Sequence, residues 1–124
     1  MSTETAPNIE TIEVPISAIP DAKPYRVSVG KRRGILFVRA GEGYNVFVDR
    51  CPHQGMSMRR GEIINDELVC PHHRFQFSVH DGSPVRACPP ATTLPFEQIE
   101  DRIRVHVDLD AIEALYQEVT GHER

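Results

Sequence analysis

Along most of the chain apolar residues recur at every second position, the spacing of a strand with one face in a core. Ile12, Val14 and Ile16 alternate with other residues, and Pro15 and Pro20 confine that segment to an edge or a turn. Tyr25, Val27 and Val29 alternate in YRVSV. ILFVR (35–39) and YNVFV (44–48) flank Gly41-Glu42-Gly43, the pattern of a hairpin. Phe75, Phe77 and Val79 alternate ahead of HDGSP (80–84), a strong turn. Leu94 and Phe96 lead through Glu100-Asp101 into RIRVHV (102–107), where Ile103, Val105 and Val107 share a face. The period then changes. Ile112, Leu115, Tyr116 and Val119 fall at helical spacing, which predicts a helix over about 111–120 packed on the sheet. Asp110 with Glu113 reads as its capping box and Gly121 as its C-cap. The fold class is therefore all-β, an antiparallel sandwich or small barrel with a short C-terminal helix.

A chain of 124 residues fits one domain. The net charge of −4 disfavours nucleic acid as a partner. Charge is unevenly spread: −3 over residues 1–20, +6 over 21–60 and −7 over 61–124. No apolar run reaches the roughly 18 residues of a membrane span, so no membrane association is expected. MSTETAPNIETIEV has neither the basic nor the apolar part of a signal peptide. Three cysteines make no disulfide scaffold. The expectation is a soluble cytoplasmic protein with a flexible segment over residues 1–8.

Two short motifs carry the chemistry: Cys51-Pro-His53 and Cys70-Pro-His-His73, with sixteen residues between His53 and Cys70. Each offers one thiolate and one imidazole. Together they could close a zinc tetrahedron, or hold a [2Fe–2S] cluster with both cysteines on one iron and both histidines on the other. Zinc modules usually carry CxxC knuckles and HxxxH spacing, and this chain has neither.

The stretch RCPHQGMSMRRGEIINDELVCPHHRFQFSVHDGSP resembles the Rieske family, and the likeness runs from about Val14 to Val107. The resemblance implies an antiparallel β sandwich with a small cluster-binding subdomain and one Rieske-type [2Fe–2S] cluster per chain. It implies that Cys51 and Cys70 hold the buried iron and that His53 and His73 hold the outer iron through Nδ1. It further implies that Gly55 and the Cys88-Pro89-Pro90 segment close the cluster loops. On this reading residues 9–107 form the Rieske domain, its cluster-binding part at about 50–90, and 108–124 the C-terminal helix. High-potential members of the family join their two cluster loops by a disulfide, at places held here by Met56 and His72. They also donate hydrogen bonds to sulfur from a serine and a tyrosine, at places held here by Phe75 and Phe77. Donors to sulfur raise the potential, so their loss implies the low end of the Rieske range, roughly −150 mV.

The chain therefore looks like a Rieske-type ferredoxin, which is not itself an enzyme. Such proteins carry single electrons from a flavin-dependent or other ferredoxin reductase to the terminal oxygenase of a ring-hydroxylating dioxygenase system. A small subunit of a nitrite reductase-like complex, a cluster that senses rather than conducts, and a structural zinc module for partner binding are the alternatives. Two positions depart from the ferredoxin pattern: Arg74 stands where glycine is usual, and Ser78 where aspartate is usual.

The remaining candidates have plainer readings. His72 and His80 are extra imidazoles beside the ligand set, His106 points outward from its strand, and His122 lies in the tail. Cys88 is expected to be a buried small hydrophobe. Met56, Met58, Phe75 and Phe77 are assigned to packing. Arg50, Arg59, Arg60 and Arg74 lie close to the ligands. They read either as a basic docking rim for an acidic patch or as solvated residues paired with Glu62 or Asp66. The acidic C-terminal segment is the competing docking surface.

Overall fold

A computed structural model describes residues 8–52, 55–72 and 74–121, with nine strands and one α-helix among them. The strands are β1 (Ile9–Pro15), β2 (Tyr25–Val29), β3 (Arg33–Ala40), β4 (Gly43–Val48), β5 (Glu62–Ile64), β6 (Glu67–Val69), β7 (Gln76–Ser78), β8 (Glu97–Ile99) and β9 (Arg102–Asp108). They form three antiparallel three-stranded sheets, ordered β1-β9-β8, β2-β3-β4 and β5-β6-β7. The helix α1 spans Leu109–Gly121. It is too short and too polar to cross a membrane, and no other helix among the described residues could do so.

The expected elements are present, with three differences. The first is the β5-β6 hairpin, which alternation did not reveal because each strand has only three residues. Its turn is Asn65-Asp66, both at positive φ (53° and 63°), the mirror-image turn that matches strand twist and that Asn and Asp tolerate. The second is the start of the helix. Asp108, not Asp110, is the cap: its Oδ1 accepts hydrogen bonds from the Asp110 and Ala111 amides at 3.1 and 3.2 Å. Glu113 takes no part in a capping box because Arg33 holds both its oxygens, at 2.8 and 3.0 Å. The expected cap Gly121 is the last helical residue, while the side chain of Val119, residues 1–7 and His122 lie outside the described residues. The third is strand β8, which begins just after Leu94 and Phe96 rather than on them.

The hairpin β3-β4 organises everything else, because it is buried on both faces. Ile35, Phe37, Val46 and Val48 point into a core shared with Val14, Ile103, Val105, Val107 and Ile112. Leu36, Val38 and Phe47 point the other way, into a second core with Met58, Leu68, Phe77, Val79 and the two motif cysteines Cys51 and Cys70. That is why 35–38 is an unbroken apolar run rather than an alternating one. The sheet of β5, β6 and β7 is thus a small subdomain laid against the back of the central hairpin.

One polar residue fastens the two. Asn45 of β4 is 8% exposed and sits opposite Val38, on the face of the second core. Its Nδ2 donates to the carbonyls of Val79 and His80, at 2.8 and 3.1 Å, and its Oδ1 accepts the Val46 amide at 2.8 Å. Replacing Asn45 by Ala strands both carbonyls. The expected cost is about 2 kcal/mol, read as a lower urea midpoint with an unchanged slope. An unchanged midpoint would show that these bonds contribute nothing.

Candidate metal centre

The two motif cysteines open two loops of the same construction. The Cys51 amide donates to the Met56 carbonyl at 2.8 Å, and the Cys70 amide donates to the Phe75 carbonyl at 2.8 Å. Each loop is therefore pinched shut by a hydrogen bond from its cysteine to the residue five places on. The first loop is tightened further by Gly55, whose amide donates to the Cys51 carbonyl at 2.5 Å. Gly55 has φ +76°, which a residue with a Cβ adopts only at a cost. In the second loop Arg74 stands at φ +57°, so the glycine usual there is replaced by a residue that holds the same left-handed backbone under strain of about 1–3 kcal/mol. The structure brings Cys51 and Cys70 together. His53 and His73 lie outside the described residues, each inside one of these pinched loops by sequence.

Both thiols are buried, at 1% and 0% exposure. They hydrogen-bond one another, and this bond, followed by burial, pushes the Cys70 thiol far above its usual range. The His72 backbone amide acts against that by donating to the Cys70 sulfur, the arrangement that stabilises a thiolate. Two converging sulfurs in an apolar pocket with a backbone donor suit a pair of thiolates on one iron. No group of three His, Cys, Asp or Glu side chains occurs among the described residues, as expected when the two motif histidines are outside them. Arg50, next to Cys51, has its Nε buried without a hydrogen-bond partner.

Sequence reasoning missed what carries the first loop. Asp49, 2% exposed, follows β4 and stands two residues before Cys51. Its Oδ2 accepts Arg26 Nε and Ser57 Oγ, both at 2.7 Å, and its Oδ1 accepts the Met58 amide at 2.6 Å. Its backbone carbonyl accepts the Tyr116 hydroxyl at 2.7 Å. Arg33 lies over the Tyr116 ring, 4.0 Å from its centroid, so the helix is locked to the base of the loop. A carboxylate directly after the apolar run NVFV was the available signal.

Other expectations divide. Met58 and Phe77 are wholly buried and Phe75 nearly so, as packing residues should be, and His106 is exposed. Met56 is 43% exposed and is not core packing. It lines a cleft of about 400 Å³ with Ser57, Arg59, Arg60, Pro71 and His72. The disulfide positions implied by the family thus face one cleft with no covalent link across it. Cys88 is half-buried rather than buried: it packs at the edge of the second core, and its Sγ donates to the Pro89 carbonyl at 3.1 Å.

The family model of the Rieske [2Fe-2S] domain matches residues 11–100. The chain belongs to that family. Its cofactor is accordingly a Rieske-type [2Fe–2S] cluster, which sets the zinc module aside. Among curated relatives, the ferredoxin component of the alkene monooxygenase system of Xanthobacter autotrophicus is 33% identical over 58 residues, 44% of this chain and 48% of that protein. The chain spans between 11% and 48% of the length of the curated relatives it matches. Among solved Rieske-fold structures, a Sphingomonas yanoikuyae ferredoxin superposes with a TM-score of 0.66 at 17% identity, over 75% of this chain and 93% of that one. A protein from Mycobacterium tuberculosis described as the small subunit of an NADH-dependent nitrite reductase gives 0.65 at 17% identity, over 83% and 97%.

The strut under the first Rieske loop gives a pH prediction. Burial, with the nearby Asp49 charge, raises the Tyr116 phenol from 10.0 to about 12, against the lowering effect of Arg33, Arg26 and Arg50. The folded chain then keeps a proton that the unfolded chain releases near pH 10, so this contribution is complete below pH 10 and lost as pH rises toward 12. Tyr116→Phe should flatten the fall in stability across that window relative to wild type. Identical slopes in alkaline urea titrations would contradict the strut.

Proposed function

We propose that the protein is a Rieske-type ferredoxin that carries single electrons from a flavin-dependent or other reductase to a terminal oxygenase in the cytoplasm. The single observation that carries this reading is the pair of buried free cysteines, Cys51 and Cys70, hydrogen-bonded to one another at the mouths of two matched loops. Cys51 and Cys70 would hold the inner iron, and His53 and His73 the outer one. The cluster, when bound, supplies one reversible electron. The chain's own residues do the rest. The His72 amide donates to the Cys70 sulfur, the second apolar core keeps water from the thiolates, and Asp49 with Tyr116 holds the first loop at its base. The ferredoxin component among the relatives supports an oxygenase system as the destination. The likeness over 83% of this chain to a protein described as a nitrite reductase small subunit supports the second reading, in which the same domain serves a reductase complex.

The purified protein should contain two irons and two labile sulfides per chain and give a Rieske-type EPR signal on reduction. Cys51→Ser, His53→Ala, Cys70→Ser and His73→Ala should each abolish or strongly deplete the cluster, whereas Cys88→Ser and His72→Ala should keep it. A folded but colourless Cys88→Ser protein would show that the thiolates are misassigned. Oxidation of the reduced protein by an oxygenase component, followed by stopped-flow absorbance, separates a carrier from a sensor.

The potential is a separate test. Phe75 and Phe77 are buried and offer sulfur no hydroxyl, which leaves backbone donors such as the His72 amide. A low midpoint, near the roughly −150 mV end of the range, is expected, and Phe77→Tyr or Phe75→Ser should raise it. A wild-type midpoint above roughly +150 mV would contradict this account.

A further inference from the structure

The three loops around the paired cysteines, residues 50–61, 70–75 and 85–90, hold five arginines (Arg50, Arg59, Arg60, Arg74 and Arg86) and no aspartate or glutamate. This stands against a chain whose net charge is −4. Elsewhere five of the six described arginines, all but Arg32, have carboxylates within 4 Å: Arg26 with Asp49, Arg33 with Glu113, Arg39 with Asp21, and Arg102 and Arg104 with Glu13. Arg59, Arg60 and Arg74 are exposed and have no ion-pair partner among the described residues. Asp66, one expected local partner, instead lies 3.6 Å from His80, at the far end of the β5-β6 hairpin.

Three further observations separate this patch from ordinary solvated surface. Arg74 keeps a long cationic side chain at φ +57°, where glycine would relieve the strain. Arg59 and Arg60 border the cleft that contains Met56, a methionine 43% exposed, so cations rim an apolar centre. The competing acidic surface of α1 is partly committed, with Asp108 capping the helix and Glu113 held by Arg33. Exposed apolar surface ringed by arginine is the composition of a protein interface, and arginine's planar fork suits carboxylates.

We propose that the Arg59 and Arg60 face around the Met56 cleft, with Arg74 two residues along the chain from the cleft residue His72, is the docking surface for an electron-transfer partner that presents a carboxylate-rich patch around an apolar contact. This rests on the electron-carrier reading and names the chemistry of its partner. The face opposes the overall charge, so it acts as a steering device. A negatively charged protein should approach a negatively charged surface, and do so cluster-first.

Gold electrodes coated with carboxylate-terminated or ammonium-terminated alkanethiol provide the test with the holo protein. At low salt the heterogeneous electron-transfer rate should be about tenfold higher on the carboxylate surface, and added salt should erase the difference. The Arg59→Glu/Arg60→Glu double variant should lose about tenfold in rate on carboxylate while keeping its visible spectrum; Lys31→Glu, on the β2–β3 turn, should lose little. Surface plasmon resonance on the same monolayers reads adsorption independently of the cluster. Adsorption to carboxylate with no redox wave would sustain the docking face and sink the carrier reading. A clear wave with equal or faster transfer on the ammonium surface, or a double variant that behaves as wild type, would overturn the docking face and leave the carrier reading standing. Salt-sensitive self-association in sedimentation, or preferential retention on a random DNA duplex, would assign the face to a second copy or to nucleic acid and overturn the proposal.

Discussion

Taking the Asp49 carboxylate out of water is the constraint on which the site depends. Removing an isolated carboxylate from solvent costs several kcal/mol unless its oxygens are matched by donors. Here the donors come from three places in the chain: Arg26 on β2, Ser57 in the first loop and the Met58 amide at its exit. Satisfying one charge therefore fixes where the loop leaves the sheet and where it returns. The Asp49 carbonyl adds a fourth tie, to Tyr116 on the helix. The helix thus belongs to the foundation of the metal centre. A chain cut after Val107 would lose Ile112 from the first core and the Tyr116 tie to Asp49 together.

The central hairpin transmits that order. Its two faces serve different purposes because β-strand side chains alternate. One face packs the β1-β9-β8 sheet and the helix, and the other packs the small subdomain that contains the cysteines. Both cores meet in a single pair of strands, so the subdomain has little freedom to move as a separate body. Asn45 reinforces this by taking its hydrogen-bond partners from the turn beyond β7.

Much of this was legible in the sequence. Alternation located β2 and β9, two apolar runs about a glycine turn located β3 and β4, and the CPH and CPHH motifs pointed to the family. What stayed hidden was of two kinds. Three-residue strands are too short to show a period, so β5 and β6, joined by the Asn65-Asp66 turn, went unread. Residues whose importance is relational were also hidden. Nothing in the string places Arg26 or Tyr116 beside Asp49, because each depends on contacts between distant segments. The sequence pointed to Asp110 as the helix cap, whereas the end of β9 puts Asp108 there.

The matched pinching of the two loops has a bearing on electron transfer itself. Each loop is closed by its own backbone, from the cysteine amide to the carbonyl five residues later, and both lie over a core of fully buried side chains. A centre held this way changes charge without its protein dipoles having to turn, because they are already fixed by folding. With the cluster held by these loops as proposed, the reorganisation energy of the inner half of the site would be kept small. The remaining relaxation falls to the solvent and side chains at the outer rim, where a docked partner would displace water.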